Sequence, residues 1–286
     1  MNPTLINDFY IATDRRCGAW SVNTENPTQE QITNANIIRS FFWNEGWTLN
    51  AICGMLGCMQ GESTINPGYI EQTNRYRLPN SAGDYSDVPN SVAKNFFNKY
   101  YGVDRRGFGM GLVQWDGYSV ISQTPLVEQQ KMVAFAIANN IIWYDGWTQL
   151  YRLKYEWQYD VNNNTNIFFY PVRYSGITYT FSNFPYSQVS PETLAAAWSS
   201  GYERNAGGVG YRADNAMYWF RFFTSPEAPP IIQPTNFKLP LEADPDEPIF
   251  DPDHPVDPGL PVGGLPKWLI VLLLNRRKEL LKWKKM

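Results

Sequence analysis

A single glutamate, Glu62, occupies a position suited to acid catalysis. Residues 48–68 predict a short buried helix that ends near Pro67, because proline disfavours a helical residue before it. Apolar residues recur at helical spacing on one side of this helix: Ile52, Met55, Leu56 and Met59. The other side carries small residues that permit close packing: Gly54, Gly57, Cys58 and Gly61. We therefore expect Glu62 in the last turn, at the rim of a core and facing a cleft.

Two effects at such a helix end favour the protonated form of a carboxyl group. Burial disfavours its charge, and the negative end of the helix dipole acts in the same direction. A neutral carboxyl suits a general acid that works near neutral pH. The alternative for Glu62 is a structural glutamate that caps the helix, pairs with an arginine or contacts water.

Two further blocks of sequence accompany this helix. Residues 107–115, GFGMGLVQW, place three glycines before a short apolar run that ends in a glutamine. This pattern is typical of a backbone that approaches a ligand closely. The second block runs from Ala195 to Phe220 and contains Ala-Ala-Ala-Trp, Gly-Tyr-Glu-Arg at 201–204, Tyr211-Arg212 and Trp219-Phe220.

Taken in order, the three blocks resemble the phage tail lysozyme family of the goose-type lysozyme and lytic transglycosylase superfamily. Its hallmark is a glycine-containing helix that ends in Glu-Ser, followed by Asn-Pro, Gly-Leu-Val-Gln-Trp and a helix pair around Tyr-Glu-Arg. The resemblance covers roughly residues 27–224. One position departs from it, since the family commonly has proline where this chain has Asn205. The resemblance implies a mostly α, lysozyme-like (α+β) fold with a central helix that carries Glu62.

The same resemblance implies a cell-wall-degrading protein of a phage tail, which acts on peptidoglycan strands of the host from the virion. Glu62 would protonate the bridging oxygen of the β-1,4 link between N-acetylmuramic acid and N-acetylglucosamine. The predicted substrate-binding residues are Ser63, Gly109, Gly111, Gln114, Trp115 and Tyr202. Glu203 is expected to pair with Arg204 or another arginine as a scaffold.

Two reaction types remain open. An inverting hydrolase needs a second carboxylate roughly 6.5 to 9.5 Å from the acid to activate water. Asp116 is our first candidate because it follows Trp115 directly, although it could instead be a turn residue before Gly117. Other candidates are Asp84, Asp87 and Asp104. A lytic transglycosylase needs no such base, because the muramic hydroxyl acts as the internal nucleophile.

Composition excludes several other chemistries. His254 is the single histidine and lies in a proline and aspartate tract, which excludes nucleophilic Cys-His and Ser-His sites and histidine-bearing zinc sites. We expect neither a metal nor a cofactor. The net charge of −3 offers no case for specific nucleic-acid binding. The N-terminal residues have neither the basic start nor the apolar core of a secretory signal.

The cysteines are expected to be free thiols. Cys53 and Cys58 are five residues apart on one predicted helix, where their side chains diverge. Cys17 could in principle reach one of them, but three small buried residues are the simpler interpretation.

The chain divides into four predicted segments: an N-terminal extension (1–26), a catalytic domain (27–224), an extended Pro/Asp-rich linker (225–265) and a basic amphipathic helix (266–286). Aromatic residues make up 16% of the chain and concentrate before residue 225, where most should fill the core and some could line a saccharide cleft. Residues 226–266 carry eight acidic residues against one lysine, so they cannot form a core. The apolar run that follows, residues 268–274, is far shorter than the roughly 20 residues that span a bilayer.

The terminal segment has three interpretations. Residues 225–286 could bind other phage tail proteins through the helix. Residues 266–286 could lie in a membrane interface, with the basic end attracted to anionic lipids. A disordered basic tail that contacts nucleic acid fits less well, because the apolar run would have no purpose there. Rival functions are accordingly a non-catalytic tail plug that binds glycan, and a membrane-disrupting protein.

Local signals predict the elements that position these residues. Helices are expected from Asn26 (N-cap) and Pro27 to Gly46, from Thr48 to Glu62, at 91–102, 125–137 and 147–159, from Ser190, and at 212–223. Residues 66–90 should be irregular or short-stranded. Two β-prone runs, 167–170 and 177–181, predict a hairpin or an ordered aromatic loop.

Overall fold

The computed structural model describes residues 4–6, 9–11, 16–17, 27–71, 111–115, 144–205 and 210–232. Most of these residues belong to five helices: α1 (Gln29–Asn44), α2 (Leu49–Ser63), α3 (Gly146–Asn163), α4 (Pro191–Gly201) and α5 (Gly210–Thr224). The strands are short: β1 (Thr4–Ile6), β2 (Phe9–Ile11), β3 (Arg16–Cys17), β4 (Ile70–Glu71), β5 (Val172–Tyr174) and β6 (Ile177–Tyr179). The fold is mostly α, which confirms the predicted class.

Within the described ranges, the strands form three separate pairs rather than one sheet. Antiparallel pairing joins β1 to β2 and β5 to β6, whereas β3 pairs in parallel with β4. The predicted helices at 91–102 and 125–137 and the predicted insertion beyond residue 71 lie outside the described residues.

The start of α1 differs from the prediction. Thr28, rather than Asn26, is the N-cap: its hydroxyl accepts from the Gln31 backbone (3.3 Å), and the Gln31 side chain accepts from the Thr28 backbone (2.8 Å). This reciprocal capping box satisfies two backbone donors that would otherwise lack helical partners. The helix therefore begins at Gln29, after Pro27 rather than on it.

The central helix, α2, begins and ends where expected. The hydroxyl of Thr48 caps it by accepting from the Ala51 backbone (3.1 Å), and Ser63 is its last residue. All residues from Ala51 to Ser63 are buried. Both sides of α2 are thus covered by the rest of the domain.

The small residues of α2 allow two helices to approach its backbone. A methyl group added at Gly54 would lie 2.7 Å from the Leu194 Cβ in α4. One added at Gly57 would lie 2.6 Å from the Ala216 nitrogen in α5, and one at Gly61 would overlap the Tyr211 ring. The predicted close packing along this side is confirmed.

Aromatic rings fill much of the core, as predicted. Trp198 in α4 is fully buried, and its ring lies within aromatic contact distance of several others: Trp47, Phe169, Phe181, Phe184 and Tyr202. The Tyr202 ring stacks on it at a centroid distance of 4.4 Å. This cluster joins α4 to the segment between α3 and α4.

The predicted hairpin is present, but its first strand is not at residues 167–170. The buried carboxylate of Asp160 accepts from the backbone N–H groups of Ile167 (2.9 Å), Phe168 (3.0 Å) and Phe169 (3.0 Å). A side chain thus replaces a neighbouring strand as their acceptor. The hairpin forms after Pro171, with Val172 opposite Tyr179, and residues 175 and 176 turn in the left-handed conformation that two-residue hairpin loops favour.

The chain after α5 folds back along α1. Side chains of α1 donate to the carbonyls of Pro229 (from Arg39), Pro230 (from Asn36, 3.2 Å) and Ile232 (from Asn44, 3.2 Å). The Ser40 hydroxyl accepts from the Ile232 backbone (2.9 Å). We call residues 229–232 the strap. The predicted linker thus begins as a segment bound to its own domain, and its remainder lies outside the described residues.

Two smaller expectations can be compared with the structure. Cys53 and Cys58 are buried free cysteines, as predicted, whereas the side chain of Cys17 is not among those described. Burial raises the pKa of both thiols. Within the described residues, no helix has the length and apolar composition needed to cross a membrane.

Candidate active site

The last turn of α2 presents Glu62 to an arginine. Glu62 is 7% exposed, and its Oε1 accepts a hydrogen bond from Nη2 of Arg212, which is 1% exposed and belongs to the first turn of α5. The interpretation of Glu62 as a general acid did not include this guanidinium, whereas the alternative interpretation, a structural glutamate that pairs with an arginine, did. Burial favours a neutral carboxyl, whereas an adjacent positive charge favours an ionised one.

Arg212 also faces a second buried carboxyl group. Its Nε lies 3.2 Å from Oε2 of Glu203, which follows α4 and whose side chain is 6% exposed. Glu203 pairs with an arginine, as expected, but with Arg212 rather than Arg204. The Arg204 guanidinium instead donates to the Ile167 carbonyl and lies 4.4 Å from the centre of the Tyr170 ring.

Glu62, Glu203 and Arg212 form a buried cluster, in which burial and neighbouring charges shift pKa values. Burial, and after it the Glu62 carboxylate, raises the pKa of Glu203 to about 8, against the opposing influence of Arg212. Burial alone would lower the pKa of Arg212, but the two carboxyl groups outweigh it and raise that pKa. The guanidinium therefore stays charged near neutral pH.

The turn after Glu62 has an uncommon backbone. Thr64 and Ile65 both adopt positive φ angles, 53° and 57°, which a β-branched residue rarely does. The side chain of Asn34 holds this turn, because its Nδ2 donates to the Ile65 carbonyl (2.9 Å) and to the Tyr10 carbonyl (2.8 Å). Strained backbone of this kind persists where the surroundings fix it, and it clusters at functional sites.

The loop at residues 111–115 contacts the end of α2 directly. The Ser63 hydroxyl lies 2.8 Å from the Leu112 carbonyl and 3.0 Å from the Met59 carbonyl, to which it can donate its proton. Gln149 of α3 clamps the same loop, since its Oε1 accepts from the Leu112 backbone (2.8 Å) and its Nε2 donates to the Pro67 carbonyl (2.7 Å). The two predicted motifs are thus joined by three buried hydrogen bonds.

A second buried polar cluster lies behind this loop. The carboxylate of Glu156, on α3, accepts from the Trp115 indole (3.3 Å), from Arg152 Nε (2.7 Å) and from the Tyr202 hydroxyl. Glu156 is 1% exposed. Because one carboxylate satisfies donors from three separate segments, it fixes the position of the loop relative to α3 and α4.

The predicted substrate-binding residues fall into two groups. Ser63, Gly111, Gln114, Trp115 and Tyr202 are described, and all lie in or next to the loop and the two polar clusters. The Gln114 amide donates to the Gly111 carbonyl (2.8 Å), and Trp115 is 4% exposed. Gly109 and Asp116 lie outside the described residues, as do the other candidate bases, Asp84, Asp87 and Asp104. Contact of any of these residues with sugar stays a prediction.

The sequence interpretation did not assign a role to Arg212, Gln149 or Glu156. Arg212 stood within the third sequence block, so its presence was noted but its partner was not. Glu156 follows Arg152 by four residues, a spacing that indicates an ion pair on a helix but not its burial. Nothing in the local sequence around Gln149 indicates its contacts with Leu112 and Pro67.

Comparison with known proteins decides the family. The family model described as phage tail lysozyme matches residues 33–223, which include the helix that carries Glu62, the loop and the block that carries Glu203 and Arg212. The chain belongs to the phage tail lysozyme family. The matched range agrees with the resemblance inferred over residues 27–224.

A curated relative supports the same assignment. Over 206 residues, the chain is 31% identical to Morphogenesis protein 1 of Bacillus phage B103, a match that covers 72% of this chain and 43% of the relative. The chain thus spans less than half the length of that relative. As a phage tail lysozyme family member, it is a lysozyme-like protein associated with the phage tail.

Proposed function

We propose that this chain is a muramidase of a phage virion, which cleaves the β-1,4 link between N-acetylmuramic acid and N-acetylglucosamine. Cleavage would open the host cell wall to the tail and the genome. Membership in the tail lysozyme family supports the substrate class, and the environment of Glu62 supports the chemistry.

The position of Glu62 carries this proposal. Its carboxyl group is almost completely buried at the end of α2, next to a residue, Ser63, that binds the glycine-containing loop. A general acid gives up its proton and becomes a carboxylate in the transition state. Arg212 is already placed to stabilise that carboxylate. The pairing with arginine therefore fits an acid whose ionised form is the product of the chemical step.

Replacement of Glu62 by glutamine tests the role of the proton. Glutamine keeps an oxygen that can accept from Arg212, so the fold should be retained, but it cannot donate a proton to a leaving group. We expect E62Q to lower the rate of peptidoglycan cleavage by at least about 100-fold, since general acid catalysis contributes roughly 10²- to 10⁴-fold.

A matched control is available at the residue that follows α1. Glu45 pairs with Lys154 at 2.6 Å, and each side chain is 25% exposed, so E45Q makes the same chemical change in an ion pair outside the candidate site. We expect E45Q to cleave at the wild-type rate. Wall cleavage by E62Q at that same rate would show that the acid is another residue.

The products distinguish the two reaction types. Reducing ends would indicate hydrolysis with a second carboxylate, for which Asp116 is the first candidate to replace. Anhydro ends would indicate a lytic transglycosylase, in which the muramic hydroxyl attacks and no second carboxylate is required. Mass analysis of digested peptidoglycan measures this directly.

The name of the curated relative favours a second candidate function. A morphogenesis protein is named for assembly, so this chain could serve as a tail plug or structural component whose lysozyme-like domain binds glycan without cleaving it. That candidate predicts that the wild-type protein sediments with peptidoglycan and releases no soluble fragments.

We further propose that residues 225–286 attach the domain to other tail proteins, with membrane contact by residues 266–286 as the alternative. Vesicle leakage that is lost when residues 266–286 are deleted, and that persists in E62Q, would support the membrane role.

A further inference from the structure

The side chain of Gln149, on α3, is completely buried and joins two segments that are far apart in the sequence. Its Oε1 accepts from the Leu112 backbone (2.8 Å), in the loop at residues 111–115. Its Nε2 donates to the carbonyl of Pro67 (2.7 Å), in the segment that follows α2. This position therefore uses a side chain that offers one acceptor and one donor at the same end, as an amide does.

Gly111 makes room for this amide. It has a φ of 76°, and a methyl group added there would lie 2.6 Å from the Gln149 Oε1 and 2.8 Å from its Nε2. The Gly111 N–H also donates to the Tyr69 carbonyl (2.8 Å), which joins the loop to the segment after α2 a second time. Gly111 was predicted to bind substrate, and its missing side chain has a further use here, the admission of Gln149.

The loop that Gln149 holds also contacts the residue next to the candidate acid. The Ser63 hydroxyl, beside Glu62 in sequence, lies 2.8 Å from the Leu112 carbonyl. Leu112 is thus held on both sides, by Ser63 at its carbonyl and by Gln149 at its N–H. Gln114, which was predicted to bind the sugar, belongs to the same loop. Movement of the loop would change the distance between that residue and Glu62, and a misplacement of about 1 Å can cost roughly 100-fold in rate.

We propose that Gln149 is a positioning residue of the muramidase site, whose amide fixes the loop, and Gln114 within it, relative to Glu62. This inference rests on the proposed muramidase function. Gln149 acts through Leu112 and Pro67, so it has no need to touch the sugar. The role requires both an acceptor and a donor at this position, and a side chain that only fills the space does not meet it.

Replacement of Gln149 by glutamate tests this hydrogen-bond pattern within one variant. A protonated carboxyl group can accept from Leu112 and donate to Pro67, whereas an ionised one turns an oxygen toward the Pro67 carbonyl and repels it. Burial raises the pKa of a carboxyl group at this position above its usual value of about 4.3. We expect Q149E to cleave peptidoglycan within about threefold of the wild-type rate near pH 5, and to fall at least about tenfold below it by about pH 8.

Two further variants are the controls. Q149M keeps the size of the side chain but neither accepts nor donates, so its rate should be at least about tenfold below the wild type at every pH. It retains the ionisable groups that the described residues place on the surrounding elements: Glu62, Tyr69, Asp145, Arg152 and Glu156. Q158E makes the glutamine-to-glutamate change at an exposed position of α3 and should follow the wild-type profile. A Q149E profile parallel to that of the wild type, or wild-type cleavage by Q149M, would overturn the proposal.

Hydrogen exchange provides a second test that needs no catalysis. The N–H groups of Gly111 and Leu112 lie where the loop meets its two partners. We expect Q149M to lower the protection of both amides at least about fivefold, and Q149E to lower that of Gly111 increasingly as pH rises. The Ile52 amide, in α2, reports general loss of stability. Equal losses at all three amides, or no loss at Gly111 and Leu112, would contradict the positioning role.

The two tests separate this inference from the proposed function. If the wild type releases no wall fragments while the loop amides respond as expected, the muramidase role fails and the fixing of the loop by Gln149 stands. If the wild type cleaves peptidoglycan while the profile and the amides of the variants are unchanged, the role of Gln149 fails and the muramidase role stands.

Discussion

Replacement of Gly57 by alanine should destabilise the protein because it separates α2 from α5. The added methyl group would lie 2.6 Å from the backbone nitrogen of Ala216 and 2.7 Å from its Cβ. Backbone atoms cannot rotate away as a flexible side chain can, so α5 must move. Arg212 is in the first turn of α5, and its guanidinium would withdraw from Glu62 with it.

The expected magnitude follows from two opposing effects. Alanine stabilises a helix interior by about 1 kcal/mol relative to glycine. Insertion of a methyl group into a close-packed interface costs roughly 1 to 3 kcal/mol, and loss of the buried contact between Arg212 and Glu62 adds to that cost. We expect a net loss of about 1 to 3 kcal/mol, which lowers the melting temperature by roughly 2 to 12 °C in a domain of this size.

Urea unfolding of the full chain measures this change, and Gly210 supplies the control. A methyl group added at Gly210, the first residue of α5, would meet nothing within 4 Å. G210A should therefore be neutral or slightly stabilising. Equal stability of G57A and G210A would refute the reasoning that the glycines of α2 exist to admit α5.

Two other predictions follow from the ion cluster and from the strap. R212M removes the guanidinium from two buried carboxyl groups and should cost about 3 to 5 kcal/mol near pH 8, because loss of one partner of a buried ion pair is strongly destabilising. Folding raises the pKa of Glu203 from 4.5 to about 8, so its contribution to stability is present below the unfolded pKa and is lost as pH rises toward the folded one. Arg212 lowers the pKa of Glu203, so this loss of stability between pH 4.5 and pH 8 should be larger in R212M than in the wild type. The difference in unfolding free energy between R212M and the wild type should therefore be smaller near pH 4.5 than near pH 8. Urea unfolding that gives the same difference at both pH values would contradict this. S40A removes the acceptor of the Ile232 N–H and should speed hydrogen exchange of that amide about two- to tenfold, given a net 0.5 to 1.5 kcal/mol per hydrogen bond. Unchanged exchange would show that the strap does not rest on α1 in solution.

Interactions between residues close in sequence, such as helix caps, are the part of the fold that the sequence could predict. Thr48 and Ser190 cap α2 and α4 as expected, because an N-cap needs only a side-chain oxygen and a nearby backbone N–H. The one wrong cap shows the limit of that rule. Asn26 and Thr28 are both acceptable caps, and the choice depends on Gln31, whose side chain completes the capping box with Thr28 alone.

Long-range polar partners could not be predicted in this way. Arg212 lies 150 residues from Glu62 in sequence, and the two meet because small residues in α2 let α5 approach. The carboxylate of Asp160 likewise replaced a strand as the acceptor for residues 167–169, which β propensity alone does not reveal. The position and burial of Glu62 could be predicted from the helical periodicity of the sequence. The arginine beside it could not, because the packing of α5 on α2 brings Arg212 there.

The strap determines how the domain would bear mechanical load from its C-terminal side. A pull on the chain beyond residue 232 would first reach the hydrogen bonds that Asn36, Ser40 and Asn44 make with the strap. These bonds are distributed along α1, so tension would be spread over that helix before it reached α5. The contact between Arg212 and Glu62 would thereby be shielded from force applied to the chain beyond residue 232.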